Sequence, residues 1–196
     1  MDPPGETCPK TKIQSISKIH LNFRNDPGQS DQMNSDETKS ITVHCMGLDD
    51  LDAAARLFGG QFREHDIDTA AGPLGDVLRT IVKNPQFGFV LLATMGGQAI
   101  GAAYVAALLS LEHEGVIGWL EELYVVPEKR NGGVGTRLLS DVVERARDLG
   151  WKGIELELMA GHERAASVYQ RHGFLPLSRS RFCRLFADCN EDAAKF

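Results

Sequence analysis

The chain has 196 residues and a formal net charge of −6, the length of one domain on a scale of roughly 100–200 residues each. Its 42% hydrophobic fraction suffices for a core and excludes a mainly disordered chain. No apolar run approaches the roughly 20 residues needed to cross a bilayer, so no membrane anchor or membrane partner is expected. The acidic balance argues against a nucleic-acid partner and favours a cationic one.

The polar first 40 residues, interrupted by Ile13, Ile16, Ile19, Leu21 and Phe23, read as a flexible N-terminal tail or extension. Met33 lies inside this stretch and is a candidate natural start, which would make residues 1–32 an addition. Residues 41–188 are expected to form the domain and 189–196 a short C-terminal tail. The first six residues lack the basic and apolar regions of a secretory leader. The four cysteines, Cys8, Cys45, Cys183 and Cys189, make no Cys-x-x-Cys pair, and no histidine cluster has metal-ligand spacing. A cytoplasmic protein with free thiols and no metal is expected, with Cys45 a small buried hydrophobe.

Ile41–Met46 alternates as a strand, and Asp49 or Asp50 can cap a helix carrying Leu51, Ala54, Ala55, Leu57 and Phe58. A charged loop containing Gly59-Gly60 should follow, running to Asp68, to which no site is assigned. Leu74, Val77, Leu78, Ile81 and Val82 keep helical spacing up to Asn84-Pro85. Phe87–Thr94 and Ala99–Leu111 read as strands joined by a tight turn over Met95-Gly96-Gly97-Gln98.

Residues 116–126 form a third strand of this group. Its alternating sets, Ile117, Trp119, Leu123, Val125 and Val116, Leu120, Tyr124, Val126, are both apolar, which predicts a central strand covered on both faces. Glu121 and Glu122 stand in its middle, expected to face opposite ways. A buried carboxylate is unfavourable unless paired or wet, so one of them lining a cleft is a candidate functional group. A helix with the stripe Val134, Leu138, Val142, Ala146, Leu149 follows, and Gly150 can end it. A strand over Ile154–Leu158, a short helix with Ala165, Val168 and Tyr169 ending at Gly173, and a last strand over Phe174–Phe186 complete the order. The pattern β-α-α-β-β-β-α-β-α-β predicts a mixed α/β sheet with helices on both faces.

Between the central strand and its helix lies Arg130-Asn131-Gly132-Gly133-Val134-Gly135-Thr136. Glycines permit close backbone approach and positive φ, a helix start presents unpartnered N–H groups and a favourable dipole, and Arg130 adds charge. Together these suit a pyrophosphate. Neither Gly-x-x-x-x-Gly-Lys-[Ser/Thr] nor Gly-x-Gly-x-x-Gly is present, which argues against a P-loop NTPase and a standard dinucleotide-binding domain.

Arg130-x-x-Gly133-x-Gly135 resembles the [Gln/Arg]-x-x-Gly-x-[Gly/Ala] signature of the GNAT N-acetyltransferase superfamily. His162–Phe174 resembles the family's second signature, Asn-x-x-Ala-x-x-[Phe/Leu/Val]-Tyr-x-x-x-Gly-Phe, with His162 where asparagine is usual. Leu120–Pro127 resembles the strand before the cofactor loop. The resemblance implies a mostly antiparallel sheet whose central strand and Ile154–Met159 splay apart to admit the pantetheine arm of acetyl-CoA. Backbone near Leu123 and Val125 would bind that arm, Arg130–Thr136 and His162 the rest of the cofactor, and an N–H near Val125 would polarise the thioester. It further implies direct attack by an amine, with Glu121 as first candidate base acting through water, Glu122 as second, and Tyr169 as the acid that protonates departing CoA.

The expected activity is acetylation of a primary amine on a small molecule. A protein lysine or N-terminal acetyltransferase and a non-catalytic acyl-CoA sensor remain open, as does a homodimer.

Overall fold

A computed structural model describes residues 40–67, 69–158 and 163–178. Residues 17–175 form one compact unit; residues 1–16 and 176–196 form a second, of which 176–178 are described and are neither helix nor strand. The elements of the larger unit are β1 (Ile41–Cys45), α1 (Leu51–Glu64), α2 (Ala71–Lys83), β2 (Gly88–Met95), β3 (Gln98–Ser110), β4 (Gly115–Val125), α3 (Val134–Asp148), β5 (Ile154–Leu156) and α4 (Glu163–Arg171).

The five strands lie in chain order, β1-β2-β3-β4-β5. The first three pairings are antiparallel, β1–β2 across the two helices α1 and α2 and the next two across short turns, and β5 joins β4 in parallel after the α3 crossover. The β2–β3 turn is the expected one, with Gly96 at φ 58° and Gly97 at φ 78°, the left-handed pair a two-residue hairpin requires. Two apolar layers cover the sheet. Leu91, Ala93, Ala103, Val105, Leu120, Leu123 and Val125 pack with α3 and with Ala165, Val168 and Tyr169 of α4. Val90, Leu92, Ala102 and Tyr124 pack with Ala54, Leu57 and Phe58 of α1 and Leu78 and Ile81 of α2.

The small residues of β3 let α3 settle close. A Cβ on Gly101 would stand 2.9 Å from the Tyr124 carbonyl and 3.1 Å from Leu138 Cδ1. This fixes the N-terminus of α3 beside the end of β4.

Six expectations need correction. The helix begun at Leu51 does not stop at Gly59-Gly60 but runs to Glu64, because its second half also has a buried side, with Phe58 and Gln61 inside. Asp50 does not cap that helix with its side chain; its Oδ2 accepts from Gly47 N at 2.8 Å, closing the 3-10 turn before it. Cys45 is exposed, since β1 is an edge strand and only Ile41 and Val43 of it pack on the core. Leu149 is 44% exposed because α3 has ended at Asp148, and Gly150 follows in the left-handed conformation at φ 71°. In the expected last strand, residues 174–178 are not strand, and 179–186 lie outside the described residues.

The sixth correction bears on the site. Strict alternation fails in β4, where the register with β3 shifts between Tyr104, opposite Glu122, and Val105, opposite Leu120. Glu121 is the extra residue of this β-bulge. The bulge puts Leu120 in the same layer as Leu123 and Val125, while Glu122 keeps the face of Tyr124, toward α1. Glu121 has no cross-strand counterpart on β3, and its charge acts on Glu122.

Candidate active site

β5 pairs with β4 only over Gly118–Leu120, matched to Ile154–Leu156, whereas β4 continues to Val125. Beyond Leu120 β4 has no partner strand on that side among the described residues. Val126 donates its N–H to Ile100 O at 3.0 Å, toward β3. Alternation along an antiparallel strand then turns the peptide groups of Leu123 and Val125 the other way, into the gap. The Val125 carbonyl accepts from Arg130 Nε at 2.9 Å, leaving the Val125 N–H facing the gap.

The turn after β4 has the geometry its glycines suggest. Asn131 adopts φ 66° and Gly133 φ 80°, and Gly133 directly precedes the first residue of α3. No side chain caps that helix start. A Cβ on Gly133 would meet nothing within 4 Å, so there is open space beside Gly133 at the helix start. Arg130 is engaged on the other side. Its guanidinium bonds both Glu64 carboxylate oxygens at 2.7 and 2.9 Å and lies 5.4 Å from the Tyr124 ring centroid. Tyr124 donates its hydroxyl to the same Glu64 at 2.8 Å.

On the α1 face, Glu122 is 6% exposed and accepts from Gln61 Nε2 at 2.6 Å. Burial, and then the charge of Glu121, push its carboxyl up to about 8, against a smaller downward pull from the Gln61 bond. Glu121 is half-buried and also acts on Tyr104, whose phenol burial pushes up to about 12.

On the other face, Tyr169 of α4 is 3% exposed, packed edge-on against Phe174 with ring centroids 5.7 Å apart. Its hydroxyl has no hydrogen-bond partner among the described residues. Burial raises its pKa well above the ordinary phenol value, so it stays protonated and is a donor. His162 lies outside the described residues.

The structure thus brings together the gap, the turn and the Glu121–Glu122 pair at one end of β4. Sequence reasoning missed Gln61 and Glu64, which it left in a loop; the signal that was there is the helical spacing Ala54, Leu57, Phe58, Gln61, continued across two glycines. Among the described residues no group of three or more His, Cys, Asp or Glu could hold a metal, and no helix is long and apolar enough to cross a membrane.

Comparison with known proteins agrees with this geometry. Residues 52–174 match the model of the acetyltransferase (GNAT) family. The chain belongs to that family and is an N-acetyltransferase of its type. It is 26% identical over 162 residues to the uncharacterized N-acetyltransferase YjgM of Escherichia coli K12, covering 80% of this chain and 95% of that one. Its fold is similar to a predicted acetyltransferase with acetyl-CoA from Clostridium acetobutylicum, at TM-score 0.63 and 17% identity over 74% of this chain and 96% of that one. It is likewise similar to the aminoglycoside N-acetyltransferase AAC(6')-Iy in complex with CoA, at TM-score 0.65 and 18% identity over 76% and 96% of the two chains.

Proposed function

We propose that this chain transfers the acetyl group of acetyl-CoA to a primary amine of a small molecule. The observation that carries the reading is the early end of the β4–β5 pairing at Leu120, which leaves Leu123 and Val125 peptide groups facing a gap that leads to the Asn131–Thr136 turn. The residues fit the co-substrate. The gap offers strand-like hydrogen bonds to a pantetheine amide, and the space before Gly133 suits a pyrophosphate at a helix start. Asn131, Gly132, Gly133, Val134, Gly135 and Thr136 supply that turn, and Arg130 holds it through Glu64 and Val125. The orphaned Tyr169 hydroxyl is a buried donor to which the thioester sulfur would give a partner.

In the reaction the amine nitrogen attacks the thioester carbonyl carbon, and the Val125 N–H steadies the charge that develops on its oxygen. An amine near pKa 10 arrives protonated and must lose a proton before it attacks. Glu122 is the better base of the two glutamates. Its pKa of about 8 lies near working pH, whereas Glu121 acts on it chiefly by holding that value up. As the carbon–sulfur bond breaks, Tyr169 donates to the leaving thiolate. Its raised pKa makes complete proton transfer to a thiolate uphill, so its contribution is stabilisation of the leaving sulfur by a hydrogen bond, and the proton the nitrogen sheds on becoming an amide neutralises the released thiolate.

A small cationic acceptor suits the net charge of −6 and the paired glutamates. The test is acetyl-CoA turnover against amines, polyamines, aminoglycosides and peptides. Acetylation of small amines supports the reading. Acetylation of peptides alone makes the chain a protein acetyltransferase, and tight CoA binding without any transfer makes it a sensor.

A further inference from the structure

Gln61 is 1% exposed on α1, in a layer otherwise built of Ala54, Leu57, Phe58, Leu78 and Ile81. A carboxamide there is unfavourable unless its hydrogen bonds are made. Its Nε2 donates to Glu122 Oε2 at 2.6 Å, 61 residues away in sequence. Two backbone features bring this contact about. A Cβ on the preceding Gly60 would stand 3.2 Å from the Tyr124 hydroxyl, so α1 lies against β4 at a separation that suits glycine. Glu122 lies two residues before Tyr124 on β4, in regular register with β3, and so shares its face. A helix glycine, a buried amide and strand alternation converge on one carboxylate.

We propose that Gln61 is a positioning residue for the acetyl transfer: its amide N–H orients the Glu122 carboxylate and stabilises its charged form. The inference rests on the reading of Glu122 as base. A neutral donor aimed at a carboxylate favours ionisation, which is the direction in which Gln61 acts against burial and Glu121. The other titratable and charged groups on the packed elements are Tyr124 on β4, Tyr104 on β3, Glu64 and His65 at the end of α1, the exposed Asp52, Arg56 and Arg63 on α1, and the exposed Asp76, Arg79 and Lys83 on α2. Glu121 is the one whose charge acts on Glu122.

The test replaces Gln61 by Met, which keeps volume and removes the donor, and by Glu, which keeps shape and adds a second acid. In both, the acidic limb of the kcat/KM profile should move to higher pH by about one unit, the scale of one hydrogen bond to a charged group. The rate above that limb should stay within about threefold of the original, as expected when a base is detuned and not removed. The free protein gives a second readout. Its melting temperature falls with pH until Glu122 ionises, so the end of that fall should move upward in Gln61→Met. An unmoved limb, or a loss equal at all pH values, overturns the proposal. Glu122→Gln separates the two levels: if it keeps the original profile, the base reading fails and the inference with it. If it abolishes the limb while both Gln61 variants leave it in place, the positioning role alone fails.

Discussion

Glu122 is ionised in the unfolded chain near pH 4.5 and in the folded protein only near pH 8, because burial and Glu121 oppose its charge. A group with a raised folded pKa stabilises the fold fully below the unfolded value, and that stabilisation is lost as pH rises through the folded value. Glu122→Gln keeps an acceptor for Gln61 and carries no charge. Its melting temperature should match the original near pH 4, gain progressively between about pH 4.5 and 8 and then level off, at about 1.4 kcal/mol per pKa unit as an upper scale. A gain independent of pH would show that Glu122 is not protonated in the fold. Catalysis should move the other way. Glu122→Gln should lose rate most at low pH, with partial recovery at high pH, where the amine supplies its own lone pair. Tyr169→Phe should show the same opposition. Removing a buried hydroxyl without a partner should leave melting unchanged or raised, CoA binding intact, and turnover lower by roughly 10–10⁴-fold. A Phe variant with full turnover would remove Tyr169 from the chemistry.

At the scale of elements, the order of strands and helices up to α4 is legible in the sequence because each has a clear period or a glycine or proline boundary. The β2–β3 turn, the α3 stripe from Val134 to Ala146 and the glycine turn before it are examples. Two things escape periodicity. The end of α1 is hidden by Gly59-Gly60, which read as a break in isolation, although a Cβ on Gly60 would stand only 3.2 Å from the Tyr124 hydroxyl. The bulge at Glu121 is set by pairing with β3, a partner that no local pattern on β4 reveals. These two features set the surroundings of the glutamate pair, which were the least legible part of the candidate site. The glycine turn gives its own test. Gly133→Val forces a β-branched residue to φ 80°, at about 1–3 kcal/mol, into space that touches no protein atom. The variant should fold and lose the rise in melting temperature that CoA gives; unchanged CoA affinity would remove the turn as the pyrophosphate site. Gly101→Ala should instead destabilise by about 1–3 kcal/mol, since its Cβ meets the Tyr124 carbonyl and Leu138. Calorimetry that finds no loss would show that α3 lies less closely on β3.

Across the whole molecule, two helical layers clamp a sheet that opens along one seam. The α1–α2 layer supplies Gln61 and Glu64, the α3–α4 layer supplies the helix start and Tyr169, and β4 runs between them with the gap on its free side. Glu64 ties these parts together, bonding Tyr124 of β4 and Arg130 of the turn from the last residue of α1. Such an arrangement makes sense for a reaction in which one substrate lies in the seam and the other approaches from the side of the buried carboxylate. The most direct test is release of free CoA thiol from acetyl-CoA across a panel of amines from pH 5 to 10, with the acetylated product identified. The account predicts transfer to a small primary amine, with kcat/KM rising through about pH 8 as Glu122 ionises. Saturable CoA binding with no acetylated product from any amine in the panel would contradict it.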